Sequence, residues 1–253
     1  MQLEVQSTGE SYQLTAAVLV YTNSTTRHAF ATKHAVRLDQ GRPSIAPGTP
    51  LDSRDYDRLV QALAPSAQPR MVWSDPRVLA HGFGRLLWWS PPMQRSLFFR
   101  KSAHHPHSFD GCGRCSCPGL VFLADGRDLF VYAFKGTTTP TRATRLYQAP
   151  FFNVWSRGQV CCGTATVPPE HSADPDAWER MFFGSHFTHP NFTQADRLTV
   201  GVAPGVFWQA RLAQPEVPFP EQVLFDLQLR LEELTHIDLR ARLAALPRAT
   251  GEF

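Results

Sequence analysis

The sequence predicts an α+β fold, and three observations carry that reading. Two nearly continuous apolar runs flank Asp125–Gly126 in PGLVFLADGRDLFVYAFKG, and Asp-Gly suits the positive φ angles of a tight hairpin turn. Two stretches rich in β-branched and aromatic residues, 12–22 and 29–39, flank the polar segment NSTTRH. Near the C-terminus, Val223, Leu224, Leu227, Leu231 and Leu234 recur at helical spacing.

In chain order, 12–22 and 29–39 predict a strand pair joined as a hairpin. GRPSIAPGTPL is loop by its prolines and glycines. Asp52 or Ser53 can cap a short helix over SRDYDRLVQALA, with Tyr56, Leu59, Val60 and Leu63 on its apolar side. MVW, RLLWWSPP and RSLFFRK read as further strand material. SAHHPHSFDGCGRCSCP (102–118) reads as a polar break, so the boundary between two modules is expected near it, with a β-rich module over 1–102 and a second domain over 103–253. The apolar runs around Asp125–Gly126 barely alternate, which predicts a hairpin covered on both faces. With RLYQAPFFNVW they make an antiparallel meander over 119–155. PDAWERMFFGS predicts a helix capped by Asp174, with Pro175 at its first position and Gly184 as a stop. RLTVGVAPGVFWQARL is ambiguous. PEQVLFDLQLRLEELTHIDLRARLAAL reads as helical, broken at Thr235–Asp238 before a second short helix.

Composition excludes some classes. At 253 residues the chain can bury a core, and 43% hydrophobic with 19% charged residues is ordinary globular protein. A net charge of +3 is too slight, and too dispersed, to argue for direct nucleic-acid binding. No apolar run approaches the roughly 18–20 residues of a membrane span. The first residues, MQLEVQSTGESYQL, lack a secretory pattern. Five cysteines without scaffold spacing point to free thiols in a reducing cytoplasm.

Chemistry concentrates in APFFNVWSRGQVCCG (149–163). A cysteine nucleophile needs exposure, thiolate character and a donor for the oxyanion of the attacked carbonyl. A turn at SRGQ would return Cys161 to Asn153, whose amide N–H is a suitable donor. The competing reading is that Cys161 and Cys162 simply pack, since cysteine is among the most buried residue types. Cys162 should point opposite to Cys161 on extended backbone. His186 and His189, in HFTHPNF, could deprotonate an attacking amine or tune the sulfur, or be structural. Cys112, Cys115 and Cys117, with His104, His105 and His107, offer soft ligands for zinc. One short tract is a weak metal signal, and a loop with incidental thiols competes with it. The paired aromatics Trp88–Trp89, Phe98–Phe99 and Phe182–Phe183 are expected to put one member of each pair outward.

The eight-residue step from Asn153 to Cys161, with Gly158 and Val160 between, resembles the asparagine-to-cysteine spacing of ubiquitin-conjugating enzymes. More specifically, WWSPPMQRSLFF, PGLVF, LYQAPFFNV, GQVCCG and HFTHPNF resemble the PRTRC-system protein B family, prokaryotic conjugating-enzyme-like proteins of family D found in mobile-element operons. The likeness covers roughly 12–210 and is densest over 86–192. It implies a conjugating-enzyme-like antiparallel meander with C-terminal helices in the second domain. It implies that Cys161 accepts a ubiquitin-like protein as a thioester from a ThiF-like activating enzyme and passes it to an amine, with Asn153 steadying the oxyanion. No cofactor is implied, ATP being used by the activating enzyme; a JAB-type peptidase of the same system is a further candidate partner. The sequence departs from the family pattern where Phe151–Phe152 replace the usual His-Pro before the asparagine. The literal His189–Pro190–Asn191 lies downstream of the cysteine and reads as a chance identity. Two rivals stay open: a catalytically inactive binding or scaffold module, and a zinc-stabilised structural protein.

Overall fold

The computed structural model describes residues 4–7, 10–14, 16–24, 29–39, 42–52, 54–56, 58–59, 73–82, 84–103, 105–169, 172–236 and 239–252. The fold is α+β, with mostly antiparallel sheets and few helices. It divides into two compact units, Met1–Trp73 and Ser74–Phe253.

The first unit holds β1 (Glu4–Ser7), β2 (Glu10–Gln13), β3 (Ala16–Thr22), β4 (Ala29–Asp39), β5 (Arg42–Ile45) and β6 (Thr49–Pro50). The expected hairpin is the β3–β4 pair, in register from Ala16↔Ala35 to Thr22↔Ala29. Asp52 caps the start of helical turns at 54–56 and 58–59, because its carboxylate accepts from Asp55 N–H at 2.9 Å. The remainder of the expected helix lies outside the described residues.

The second unit is built on a six-stranded antiparallel sheet. Its strands are β7 (Val78–Gly82), β8 (Arg85–Ser90), β11 (Gly119–Asp125), β12 (Asp128–Phe134), β13 (Arg145–Gln148) and β15 (Asp226–Arg230), in the order β15-β13-β12-β11-β8-β7. The expected hairpin forms, with its turn one residue later than the Asp-Gly step: Asp125 pairs with Asp128, so Gly126 and Arg127 make the turn, and Gly126 alone supplies a positive φ, 64°. Both of its strands are buried on both faces. One face packs Trp88, Phe122 and Val131 beneath the helices, and the other packs Val121, Phe130 and Tyr132 against leucines of the C-terminal segment. A three-stranded sheet of β10 (Gly111–Cys117), β9 (Met93–Phe99) and β14 (His186–Phe187) lies beside it, with β14 parallel to β9.

Several expectations are corrected. GRPSIAPGTPL, expected as loop, carries β5 and β6, both paired with β4. The division falls at 73/74 rather than 102/103, because β8 pairs with β11 from Leu120↔Ser90 to Asp125↔Arg85 and so belongs to the second unit. The expected polar break contains strand β10, whose seven residues pair with β9. The expected C-terminal helix is instead a 3-10 turn at Glu221–Val223, strand β15, a second 3-10 stretch at Leu231–Thr235, and only then an α-helix at Leu239–Ala245. Leu227, Leu229 and Leu231 alternate at period two as well as fitting the helical pattern. The open edge of β13 selects the strand reading by pairing Leu146 with Leu229.

Four α-helices follow one another in the described part of this unit: α1 (Pro175–Gly184), α2 (Ala195–Leu198), α3 (Pro204–Ala213) and α4 (Leu239–Ala245). α1 begins as expected, with Asp174 accepting from Asp176 N–H and Pro175 in the first turn. A buried charge cluster fixes it to the sheets. Glu179, 5% exposed, takes Arg95 at 2.7 Å, Arg77 at 3.1 Å and the Trp88 indole N–H at 3.1 Å. Among the aromatic pairs, β9 puts Phe98 outward and Phe99 inward by strand alternation. Phe182 and Phe183 are both buried, because adjacent helical positions lie only about 100° apart.

Candidate functional site

Residues 153–161 form a narrow loop whose two ends meet. Cys161 N–H donates to the Asn153 carbonyl at 2.7 Å, and Trp155 N–H to Gln159 O at 2.8 Å. Val154 and Val160 bridge between them. The eight-residue spacing is therefore the length of chain needed to go out and come back. The loop docks on β12 through Val131 N–H to Gly158 O and Val160 N–H to Leu129 O, each 2.8 Å. Its lead-in is anchored by the phenylalanines that stand where His-Pro is usual. Phe151 stacks on Trp208 at 5.2 Å, Phe152 meets Phe99 edge-on at 5.5 Å, and Trp208 Nε1 donates to Pro150 O at 2.7 Å.

Gly158 makes the return possible. Its φ is 88°, and a Cβ there would lie 2.4 Å from the Tyr132 ring, which is buried and holds Arg157 O through its hydroxyl. Gly158→Ala is expected to cost about 2–4 kcal/mol, from left-handed strain and overpacking together. Thermal denaturation checks it; an unchanged melting temperature would show that the loop is not tightly held.

The back of the loop is clamped by the end of the chain. Glu252 accepts from Ser156 N–H at 3.2 Å and from its hydroxyl at 2.7 Å. The buried Arg197 guanidinium donates to Ser156 O at 2.9 Å and to Pro247 O at 2.7 Å.

Asn153 joins this loop to the segment 186–189. Its φ is 60°, a left-handed conformation that asparagine tolerates better than other side chains. Its backbone N–H donates to His189 O at 3.0 Å, and its side-chain Nδ2 donates to His186 O at 2.7 Å. Its Oδ1 accepts from Thr188 N–H at 3.1 Å and from the Thr188 hydroxyl at 2.9 Å.

Asn153, Cys161, His186 and His189 all line one cleft of about 670 Å³, walled by the start of the 161–166 loop, α1 and the 184–191 segment. Cys161 is exposed, whereas Cys162 is half-buried and packs against the core. Burial, with Cys161 and Asp128 adding to it, pushes the Cys162 thiol up. The Cys-Cys step thus splits into a solvent-facing sulfur and a packing one. Arg100 and Arg180 also line the cleft, and among its described lining residues there is no carboxylate. His186 is exposed. The half-buried His189 ring stacks on His105 at 4.1 Å, and burial, then the neighbouring His105 charge, lowers its pKa.

The cysteine–histidine tract does not converge. Strand alternation puts Cys112 on the exposed side of β10, and Cys115 and Cys117 on the buried side. Burial raises the Cys117 thiol well above its usual value. His107 is half-buried at the start of the same stretch, His104 lies outside the described residues, and no group of three or more metal-ligating side chains gathers among those described.

Sequence reasoning missed Thr188, Arg100 and Glu252. Each reaches the site through non-local pairing that no local pattern encodes. For Thr188 the only available signal was its place between the two flagged histidines.

The fold and site together define a small α+β module with an exposed thiol at the rim of a basic cleft. The family model of prokaryotic E2 family D matches residues 55–227, and the chain belongs to that family. No curated protein and no solved structure matches the chain. Among the described residues no helix is long and apolar enough to cross a membrane.

Proposed function

We propose that the chain is a ubiquitin-conjugating-type carrier acting through Cys161. The exposure of Cys161 beside Asn153, His186 and His189 in one cleft carries this reading. The Cys161 thiolate attacks the thioester carbonyl that a ThiF-like activating enzyme presents. The new carbon–sulfur bond forms as the bond to the donor sulfur breaks. An amine then attacks the acyl carbon and gives its proton to a cleft histidine, and the Cys161 thiolate leaves as the amide forms. Arg100 and Arg180 favour the anions on this path. The Asn153 amide has two N–H bonds; one is committed to His186 O, and the other is available to the oxyanion. The antiparallel run β11–β13 is taken as the counterpart of the conjugating-enzyme meander, and a PRTRC-type operon with a JAB-type peptidase as its setting.

The test is charging: activating enzyme, its ubiquitin-like protein and ATP should give a thiol-reducible adduct on the wild type and none on Cys161→Ala. Absence of adduct while the activating enzyme itself is charged would sink the proposal. Asn153→Gly keeps a residue comfortable at φ 60° and removes the amide. Discharge of the thioester should slow by roughly 10²-fold; an unchanged rate would leave Asn153 as a brace alone.

The second reading, an inactive binding module of the same system, draws on that brace. With Asn153 spent on holding 186–188 and His-Pro replaced by buried phenylalanines, the geometry around residue 153 also serves structure. The charging assay separates the two.

A further inference from the structure

The hydrogen-bond directions around Asn153 fix a tautomer. Asn153 Nδ2 lies 2.7 Å from His186 O, a carbonyl that only accepts. Asn153 Oδ1 lies 3.1 Å from the Thr188 backbone N–H, which only donates. Two main-chain groups therefore establish which end of the amide is oxygen. Because Oδ1 can only accept, the Thr188 hydroxyl, 2.9 Å away, spends its single proton there. His189 Nδ1 lies 2.9 Å from the same hydroxyl, which now has only lone pairs to offer. Nδ1 must be the donor. A neutral His189 ring thus carries its proton on Nδ1 and its lone pair on Nε2.

We propose that Thr188 is a positioning residue that relays the polarity of the 186–188 backbone through Asn153 to His189, holding it as the Nδ1–H tautomer with Nε2 as the basic nitrogen of the Cys161 cleft. This rests on the conjugating reading above and deepens it. It selects His189 over His186 as the proton acceptor, since His186 enters the network through its carbonyl, not its ring. His189 is among the residues lining the cleft, and its ring is held in plane by the stack on His105, 4.1 Å away at 12°. Burial and the His105 charge also favour its neutral form, the one able to take a proton. During discharge the amine proton passes to Nε2 and the ring becomes doubly protonated. Nδ1–H keeps its bond to Thr188 throughout, so no hydrogen bond is broken as the charge develops.

Long-range ¹H–¹⁵N correlation spectra of the uncharged protein at neutral pH test this, with His189→Gln identifying the resonances. The wild type and Thr188→Ser should show His189 protonated at Nδ1. Thr188→Val, which removes the acceptor and keeps the shape, should move the ring toward the Nε2–H form. Discharge of the Cys161 thioester to a free amine should slow by roughly 10²-fold in Thr188→Val and largely recover in Thr188→Ser. An Nε2–H tautomer in the wild type overturns the inference, as does an unchanged tautomer in Thr188→Val. Should the valine variant not fold, the wild-type and serine spectra decide it. Because the tautomer is read without the activating enzyme, failure to charge Cys161 counts against the conjugating reading and not against this assignment.

Discussion

Cys161→Ser is expected to trap the carrier. A hydroxyl at an exposed position of the same cleft can take the acyl group as an ester, slowly, because a serine hydroxyl ionises far less readily than a thiol and is the weaker nucleophile. The adduct should then persist in reductant where the wild-type thioester is lost. Cys162→Ser should leave charging and reducibility as in the wild type, with at most a modest loss of stability. The reason is geometric: Cys161 is exposed, while Cys162 is half-buried, packs on the core and has its thiol pushed up by burial. Gel analysis with and without reductant, and intact mass measurement, report both variants. An adduct that moves to Cys162 when Cys161 is removed would overturn the assignment.

Glu179→Ala should be the most destabilising single change in the cleft wall. The carboxylate side chain, 7% exposed, is shared by Arg77, Arg95 and Trp88. Removing it leaves Arg95, which lies over the Phe183 ring at 4.4 Å, as a charge without its counter-ion in a nearly dry site. Breaking one side of such a buried cluster costs about 3–5 kcal/mol, which for a unit of this size lowers Tm by roughly 6–20 °C. Charging should fall with it, because α1 forms a wall of the cleft. Arg180→Ala is the control. Its exposed pairing with Asp174 at 3.4 Å should be worth no more than about 1 kcal/mol. Thermal denaturation of the two variants side by side checks both; equal shifts would mean that the buried cluster carries no special weight.

The features legible in the sequence are those whose cause is local. Asp125–Gly126 demands a tight turn, Asp174–Pro175 starts a helix by chemistry confined to its first turn, and the Asn153–Cys161 spacing is the contour length of one loop. What stayed hidden is set by distant partners. Glycine, serine and cysteine in 111–117 look like a loop, yet cysteine is a small hydrophobe, and pairing with β9 supplies every missing strand signal. Leu227, Leu229, Leu231 and Leu234 fit two periods, and only the free edge of β13 decides between them. The boundary was misplaced for the same reason: β8 is separated from β11 in sequence by β9 and β10, two strands of the second sheet, although β8 and β11 are neighbours in space. At the site, the sequence brought forward the side chains with recognisable chemistry but not Thr188, whose importance lies in one hydroxyl with a single proton to give.

The left-handed backbone at Asn153 bears on how the site would drift over time. A lineage that abandoned thioester transfer would release residue 161, whose side chain is exposed and whose tie to the loop is a main-chain N–H that any residue but proline can supply. It would not release residue 153 so readily, because φ 60° and the bonds to 186–189 still have to be met. Among relatives of this chain, a retained asparagine is therefore weak testimony to activity, and a retained cysteine at the loop's end is the stronger mark.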